Sequence, residues 1–164
     1  MTSDISIITY SHEETCLFGE FLGEILPKGT VLTLDGDLGS GKTTLVQGIA
    51  KGLGISDKYY ITSPTYTLIH EYTGKCRFFH VDLYRLTNSL ELDELGFEEI
   101  ISGDGVVAIE WPDRLPQNYL ATCLSIRIDT MDEDIRKITI ISCGLENKDL
   151  IEEIGKKIKE RKWH

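Results

Sequence analysis

The 164-residue sequence has no long apolar run, and no basic stretch followed by an apolar core at its start. A membrane-spanning helix needs about 20 consecutive apolar residues, and a secretory signal combines a basic stretch with an apolar core. Internal repeats, low-complexity tracts and Pro/Ser-rich linkers are also missing. These absences predict a single domain over residues 1–164, located in the cytoplasm and without a membrane segment.

Cysteine is scarce, and its spacing matches neither a zinc site nor a disulfide framework. The four cysteines are widely separated, with no CxxC pair and no histidine at metal-ligand spacing. We therefore expect small, buried, apolar side chains in a reducing compartment. The cysteines are Cys16, Cys76, Cys123 and Cys143.

Basic residues are outnumbered, 17 against 27 acidic residues, which gives a net charge of −10. Such a balance opposes nonspecific attraction to a nucleic-acid backbone, so any link with RNA is expected to run through a partner protein. One basic cluster lies between Lys156 and Lys162. It is either the solvated face of a last helix or a contact for RNA or an acidic partner.

Hydrophobic periodicity and capping signals predict an α/β fold. The predicted strands are residues 4–10, 30–36, 66–72, 77–84, 106–110, 124–128 and 135–142. The first predicted helix follows the Ser11/Glu14 capping box. The other predicted helices cover residues 42–53, 90–101 with a break at Gly96, and 148–162. In the first helix, the residues expected to face the core are Leu17, Phe18, Phe21, Leu22, Ile25 and Leu26.

The segment from Gly36 to Thr43, GDLGSGKT, fits the phosphate-binding pattern G-x-x-x-x-G-K-[ST]. Its glycines let backbone N–H groups approach phosphate oxygens, and the following helix directs its positive end at the same anion. Lys42 would lie between the β- and γ-phosphates, and Thr43 would ligate magnesium. A buried strand before the loop and a helix after it predict a P-loop NTPase-like three-layer sandwich. Its central sheet would be mixed but largely parallel, with a C-terminal hairpin and helix.

Two acids end apolar strands and are candidates for the magnesium shell. Glu110 follows VVAI and Asp82 follows FFHV. Glu110 is the first choice for metal binding or water activation, and Asp82 is the second acid of the site. Either could instead be a solvated carboxylate at the end of a strand.

Three further residues carry weaker signals. Thr65, in SPTYT, lies where many P-loop proteins place a segment that senses the γ-phosphate. His80 beside a strand is typical of a structural histidine. Trp111 could stack on a base or cover the site, although core packing is the usual role of a single tryptophan.

Four motifs, in this order and spacing, resemble those of the TsaE (YjeE) family: GDLGSGKTT, SPTYTL, FHVDLYRL and EWP. This resemblance covers residues 36–112. It implies a P-loop ATPase that binds ATP and magnesium, associates with TsaD and TsaB, and supports threonylcarbamoyladenosine modification of tRNA. TsaD itself would transfer the threonylcarbamoyl group. This chain would contact tRNA only indirectly, through the complex.

Carried onto matching positions, the resemblance implies that Lys42, Asp82 and Glu110 are catalytic and that Thr43 and Glu110 hold the metal. Thr65 becomes a switch residue and Trp111 a residue near the nucleotide. The residues expected at the nucleotide are Asp37, Leu38, Gly39, Ser40, Gly41, Lys42, Thr43, Thr44, Thr65 and Trp111.

Other functions share the phosphate loop. A small-molecule kinase would need an acceptor pocket and an arginine-bearing lid, and no lid-like insertion is evident. A GTPase would need the guanine-reading N-K-x-D element, whereas residues 147–150 read NKDL. A nucleotide-gated binding module would use ATP only to set affinity for a partner. Arg85 is the in-chain candidate for a group that stabilises transition-state charge, and it could equally be a solvated arginine.

Overall fold

The computed structural model describes residues 4–117 and 119–163, which form seven strands and five α-helices. The strands are β1 (Asp4–Thr9), β2 (Val31–Asp35), β3 (Ile69–Thr73), β4 (Arg77–Asp82), β5 (Val106–Glu110), β6 (Cys123–Thr130) and β7 (Arg136–Cys143). The helices are α1 (His12–Ile25), α2 (Lys42–Gly52), α3 (Leu90–Glu94), α4 (Phe97–Ser102) and α5 (Lys148–Glu160).

All seven strands belong to one sheet, in the order β1-β7-β6-β2-β5-β4-β3. The central strands β6, β2, β5 and β4 pair in parallel. Antiparallel pairs add β3 at one edge, and β7 followed by β1 at the other. The predicted mixed, largely parallel sheet with a C-terminal hairpin and helix is therefore confirmed.

Helices cover both faces of the sheet, which makes three layers. One core cluster joins the apolar faces of α1, α2 and α5 to the sheet, and a second joins α3 and α4 to the opposite face. Strand β5 shows the division, since Val106 and Ala108 belong to the first cluster whereas Val107 and Ile109 belong to the second. Burial on both faces explains why this strand is apolar throughout rather than alternating.

Helix α1 begins as its sequence predicts. The Ser11 side chain accepts a hydrogen bond from the Glu14 backbone N–H (3.1 Å), and the Glu14 carboxylate accepts one from the backbone N–H of Tyr10 (2.7 Å). The two bonds give partners to backbone N–H groups at the helix start that have no partner within the helix. The prediction that Leu17 faces the core is wrong: its side chain is 54% exposed, because the apolar stripe of α1 turns toward Phe18, Phe21 and Leu22.

Helices α1 and α2 pack unusually closely, through glycines. Gly19 and Gly23 of α1 face Gly48 and Gly52 of α2, and a Cβ at any of these four positions would overlap backbone atoms of the other helix. Their missing side chains let the helix that follows the phosphate loop lie directly against α1. The position of the loop above the sheet thus depends on this glycine contact.

The predicted burial of the cysteines holds only in part. All four are free thiols; Cys123 is buried, Cys16 and Cys76 are partly buried, and Cys143 is exposed. The prediction is wrong for Cys143 because this residue ends β7 at the border of the sheet. No helix in the described part of the chain has the length and apolar character needed to cross a membrane.

The basic residues of α5 and its end are partly used inside the chain. Arg161 pairs with Glu24 of α1 (2.9 Å) and lies over the Phe21 ring, and Lys157 pairs with Glu153 one turn earlier (3.1 Å). Such exposed pairs contribute little to stability. The Arg161 contacts show that this end of α5 docks on α1.

Replacing Gly48 with alanine should destabilise the protein, because the new methyl group would overlap the Cys16 carbonyl oxygen. Overpacking costs about 1–3 kcal/mol, more than the gain in helix propensity, which is at most about 1 kcal/mol. Denaturant unfolding would measure the net loss. Gly155→Ala on α5 is the matched control, since its Cβ would meet only the flexible end of Ile5. Equal stability of Gly48→Ala and the native protein would contradict the role of the glycine contact.

Candidate functional site

The phosphate-binding segment forms a tight loop between β2, which ends at Asp35, and α2, which begins at Lys42. Gly39 and Gly41 adopt positive φ angles of 79° and 106°, a region that residues with a Cβ rarely enter. The loop is closed by a hydrogen bond from the Ser40 N–H to the Asp37 carbonyl (3.0 Å). The Ser40 hydroxyl is buried and has no hydrogen-bond partner among the described residues.

Lys42 lies beneath this loop and is only 6% exposed. Its ammonium donates hydrogen bonds to the backbone carbonyls of Gly36 and Asp37 and lies 4.0 Å from the centroid of the Trp111 ring. Two carbonyl dipoles and an aromatic face therefore stabilise the buried cation. No carboxylate lies within ion-pair distance of it in the described part of the chain.

Asp82 and Glu110 end neighbouring parallel strands and are directly paired in the register of β4 and β5. Both side chains are nearly inaccessible, at 3% and 2% exposure. Since alternate residues of a strand share a face, the two carboxylates lie on the side of the sheet that carries α1 and α2. The sheet therefore brings both predicted acids beside the phosphate loop.

A chain of hydrogen bonds connects the loop to Glu110. The hydroxyls of Thr43 and Ser63 lie 2.6 Å apart, and the Ser63 hydroxyl donates to Glu110 Oε2 (3.0 Å). The same oxygen lies 2.6 Å from Nε2 of His80, which is fully buried. Thr43 and Glu110, the two predicted metal ligands, are thus linked through one serine.

Asp82 is held by different partners. Its Oδ1 accepts a hydrogen bond from the backbone N–H of Tyr84 (2.9 Å), and its Oδ2 accepts one from the hydroxyl of Thr65 (3.3 Å). The Thr65 contact ties the SPTYT segment to the end of β4. The two acids therefore differ in surroundings although they sit at equivalent strand ends.

Trp111 follows Glu110 with a positive φ of 59°, which is uncommon for a residue with a bulky side chain. In this conformation its ring packs on Tyr84, with 5.0 Å between the centroids, as well as on Lys42. Trp111 therefore forms part of the wall of the site, and it also packs against the second core cluster.

These residues line one open cleft of about 370 Å³. Its lining includes most of the residues predicted from the motifs, and it adds Ser63 and Tyr84, which sequence reasoning did not select. The lining residues are Leu38, Gly39, Gly41, Lys42, Thr43, Thr44, Ser63, Thr65, Asp82, Tyr84, Glu110 and Trp111. Asp37 and Ser40 do not line it; the Asp37 carbonyl accepts hydrogen bonds from Lys42 and from the Ser40 N–H.

A smaller cleft of about 140 Å³ lies on the other side of the loop. It shares Gly39, Gly41 and Thr44 with the first cleft. Its remaining lining residues are His12, Thr15, Ser40, Asp134 and Arg136. Nε2 of His12 lies 3.0 Å from the Thr44 hydroxyl, and the Arg136 guanidinium donates to the Ser40 carbonyl (2.8 Å).

Several polar contacts near the loop were not predicted from the sequence, for a clear reason. Ser63 and His80 lie inside motifs that carry the family resemblance, but only the tertiary structure joins them to Glu110. His12 and Arg136 are far from the loop in the chain, and no pattern marks them. Arg85, by contrast, packs its guanidinium 4.5 Å from the exposed Tyr66 ring and does not line either cleft.

The protein oxygens at the cleft suit a hard cation such as Mg²⁺, which is usually held by one or two protein ligands together with phosphate and water. The Thr43 hydroxyl and the Glu110 carboxylate are already connected through Ser63. Within the described ranges, no group of three or more His, Cys, Asp or Glu side chains is placed to hold a metal. The residues present therefore fit a magnesium ion that is bound jointly with phosphate.

Comparison with known proteins gives consistent matches. The family described as "Threonylcarbamoyl adenosine biosynthesis protein TsaE" matches residues 9–138. The Nostoc protein named tRNA threonylcarbamoyladenosine biosynthesis protein TsaE is 45% identical over 144 residues, which are 85% of this chain and 86% of that protein. The Synechocystis protein of the same name is 50% identical over 105 residues, 61% of this chain and 65% of that protein.

The crystal structure of YdiB from Bacillus subtilis has the same fold. It superposes with a TM-score of 0.79 at 33% sequence identity, over 96% of this chain and 97% of that one. The family match covers most of the chain, including the phosphate loop, both acids and Trp111. The chain therefore belongs to the TsaE family.

Proposed function

We propose that this protein binds ATP with Mg²⁺ and hydrolyses the nucleotide in support of threonylcarbamoyladenosine formation in tRNA, as a cytoplasmic partner of TsaD and TsaB. The observation that carries the proposal is the hydrogen-bonded chain from Thr43 through Ser63 to Glu110, at the mouth of the phosphate loop. The TsaE relatives named above carry the tRNA modification in their names, and this suggests the process that the hydrolysis serves.

The triphosphate would lie along the loop, with its γ end at Lys42 and Glu110. Its oxygens would replace the carbonyls of Gly36 and Asp37 as partners of the Lys42 ammonium, which would then offset phosphate charge. The unpaired Ser40 hydroxyl is a further donor within the loop. Mg²⁺, when bound, would supply positive charge between the β- and γ-phosphates.

The nucleoside would lie in the smaller cleft. Because Lys42, Thr43 and both acids line the larger cleft, the γ-phosphate belongs there, and the other end of the nucleotide must leave past Thr44. The flat side chains of His12 and Arg136 border that exit and offer surfaces on which a base can stack.

Glu110 would orient the attacking water, and the exclusion of bulk solvent would depend on the aromatic wall of Trp111 and Tyr84. Besides Lys42, the described part of the larger cleft contains no cationic side chain among its lining residues. Transition-state charge in phosphoryl transfer is commonly stabilised by an additional cation, often supplied by a partner. We therefore expect slow hydrolysis by the isolated chain.

Phosphate release from ATP, measured with the chain alone and with TsaD–TsaB added, tests this function. Stimulation by about 10-fold or more is expected if the partner supplies or repositions a charged group. Unstimulated turnover with tight ATP binding would instead favour a nucleotide-gated binding module. Phosphate transferred to a small acceptor, rather than released, would identify a kinase.

Lys42→Ala should weaken ATP binding by about 10-fold or more. A loss of this size corresponds to the free energy of one hydrogen bond to a charged group. Calorimetric titration with ATP would measure the change, and the rate of phosphate release should fall with it. Lys51→Ala removes the same charge from the exposed C-terminal turn of α2 and is the matched control. Binding and turnover that remain native in Lys42→Ala would exclude the assigned phosphate site.

A further inference from the structure

His80 is the residue of this site whose role the sequence least suggests. It lies at the centre of β4, two residues before Asp82, and its side chain is completely buried. Burying an imidazole without a polar partner is unfavourable, yet its only hydrogen bond to a described residue is the one to Glu110. The burial of His80 is therefore coupled to that carboxylate.

The geometry specifies which atom donates. A carboxylate oxygen facing a nitrogen at 2.6 Å accepts a hydrogen bond, so Nε2 carries the proton. Nδ1 has no hydrogen-bond partner in the described part of the chain, and a proton there would be buried and unsatisfied. The contacts of the two ring nitrogens therefore favour the tautomer with hydrogen on Nε2.

Both hydrogen bonds from side chains reach the same oxygen of Glu110, since Ser63 and His80 each contact Oε2. Two donors on one oxygen restrict the movement of the carboxylate. Oε1 then remains available for a water molecule or a metal ion. Ser63 belongs to a loop, whereas His80 belongs to the central sheet, so the histidine is the rigid member of the pair.

We propose that His80 is a positioning residue that holds the Glu110 carboxylate in its working orientation through an Nε2–H hydrogen bond. This inference rests on the proposed ATP hydrolysis. His80 does not contact the cleft directly and is absent from its lining, so its effect must pass through Glu110.

Kinetics would separate this role from simple packing. His80→Leu removes the donor and should lower kcat for ATP hydrolysis about 10-fold or more, with KM for ATP nearly unchanged. His80→Gln can place an amide donor near the position of Nε2 and should restore most of kcat. His70→Leu is the matched control, because His70 faces His80 across the β3–β4 pair, and its only side-chain hydrogen bond to a described residue is to Tyr72.

A double-mutant cycle gives the decisive comparison. In a Glu110→Ala background, His80→Leu should change kcat little further, since the group that it positions is gone. Equal losses in both backgrounds, or native kcat in folded His80→Leu, would overturn the proposal.

A second readout does not depend on turnover. Nitrogen-15 NMR of the His80 ring should show the proton on Nε2, with a proton resonance displaced to low field that shifts in Glu110→Ala. A proton on Nδ1 would overturn the proposal even if hydrolysis is normal. Absence of ATP hydrolysis by the native protein with TsaD–TsaB would refute the proposed function, while the NMR result still decides whether His80 holds Glu110.

An independent observation concerns two cysteines at the opposite end of the sheet. Cys123 begins β6 and Cys143 ends β7, and the antiparallel register places them directly opposite each other. Facing residues in such a pair have Cα atoms roughly 4.5–5.5 Å apart, within the range that a disulfide spans. Burial, followed by the neighbouring Cys143 thiol, raises the pKa of Cys123 to about 12.

We propose that Cys123 and Cys143 form a thiol–disulfide exchange site that reacts with small disulfides. The exposed Cys143 thiolate attacks a disulfide such as oxidised glutathione and releases one thiol. Cys123, which its raised pKa keeps protonated near neutral pH, gives up its proton to solvent as it attacks the Cys143 sulfur. This second step is therefore slow, and it releases the second thiol. The protein pair is oxidised by two electrons and the small disulfide is reduced.

The site lies far from the phosphate loop, because β6 runs parallel to β2 and Cys123 is at its beginning. Oxidation should therefore stabilise the hairpin and raise the unfolding temperature without changing ATP affinity. The variant that carries Cys16→Ser and Cys76→Ser is suitable for testing this reaction, since Cys123 and Cys143 are then the only cysteines.

Treatment of that variant with oxidised glutathione should give a product that is lighter by two hydrogens, with a Cys123–Cys143 link in its peptide map. Adding Cys123→Ser should stop the reaction at a stable glutathione adduct on Cys143. A persistent adduct, or unreacted thiols, in the variant that retains both cysteines would overturn the proposal.

Discussion

The site depends on the parallel pairing of β2, β5 and β4. Leu34 of β2 pairs with Glu110 of β5, and Glu110 pairs with Asp82 of β4. Because the carboxyl ends of parallel strands meet at one edge of the sheet, this register collects the phosphate loop and both acids there. A shift by one residue would turn Glu110 to the opposite face, away from the loop and from α2.

The two buried charged groups at this edge are stabilised by separate sets of partners. Lys42 is held by backbone carbonyls and an aromatic ring, while Glu110 is held by a serine and a histidine. The cation and the carboxylate therefore have separate partners and do not neutralise each other. In the proposed function, both charges would therefore be available for a phosphate group and for the cation that accompanies it.

The close contact of α1 and α2 completes the arrangement. Helix α2 must begin at Lys42 and also pack over the sheet, and the four facing glycines let it do so beside α1. The capped start of α1 meanwhile brings His12 to Thr44. One packing interface thus positions both the phosphate loop and the wall of the smaller cleft.

The sequence by itself determined the element order, the mixed sheet, the phosphate loop and the family, because each depends on local pattern: apolar runs, glycine spacing and short motifs. It also predicted that Asp82 and Glu110 end buried strands. Only the tertiary structure decided which partners these acids have, since Ser63 and His80 reach Glu110 from 47 and 30 residues away. The exposure of Leu17 and Cys143 was likewise decided by packing. Contacts between distant segments depend on strand order and register, which short-range patterns do not encode.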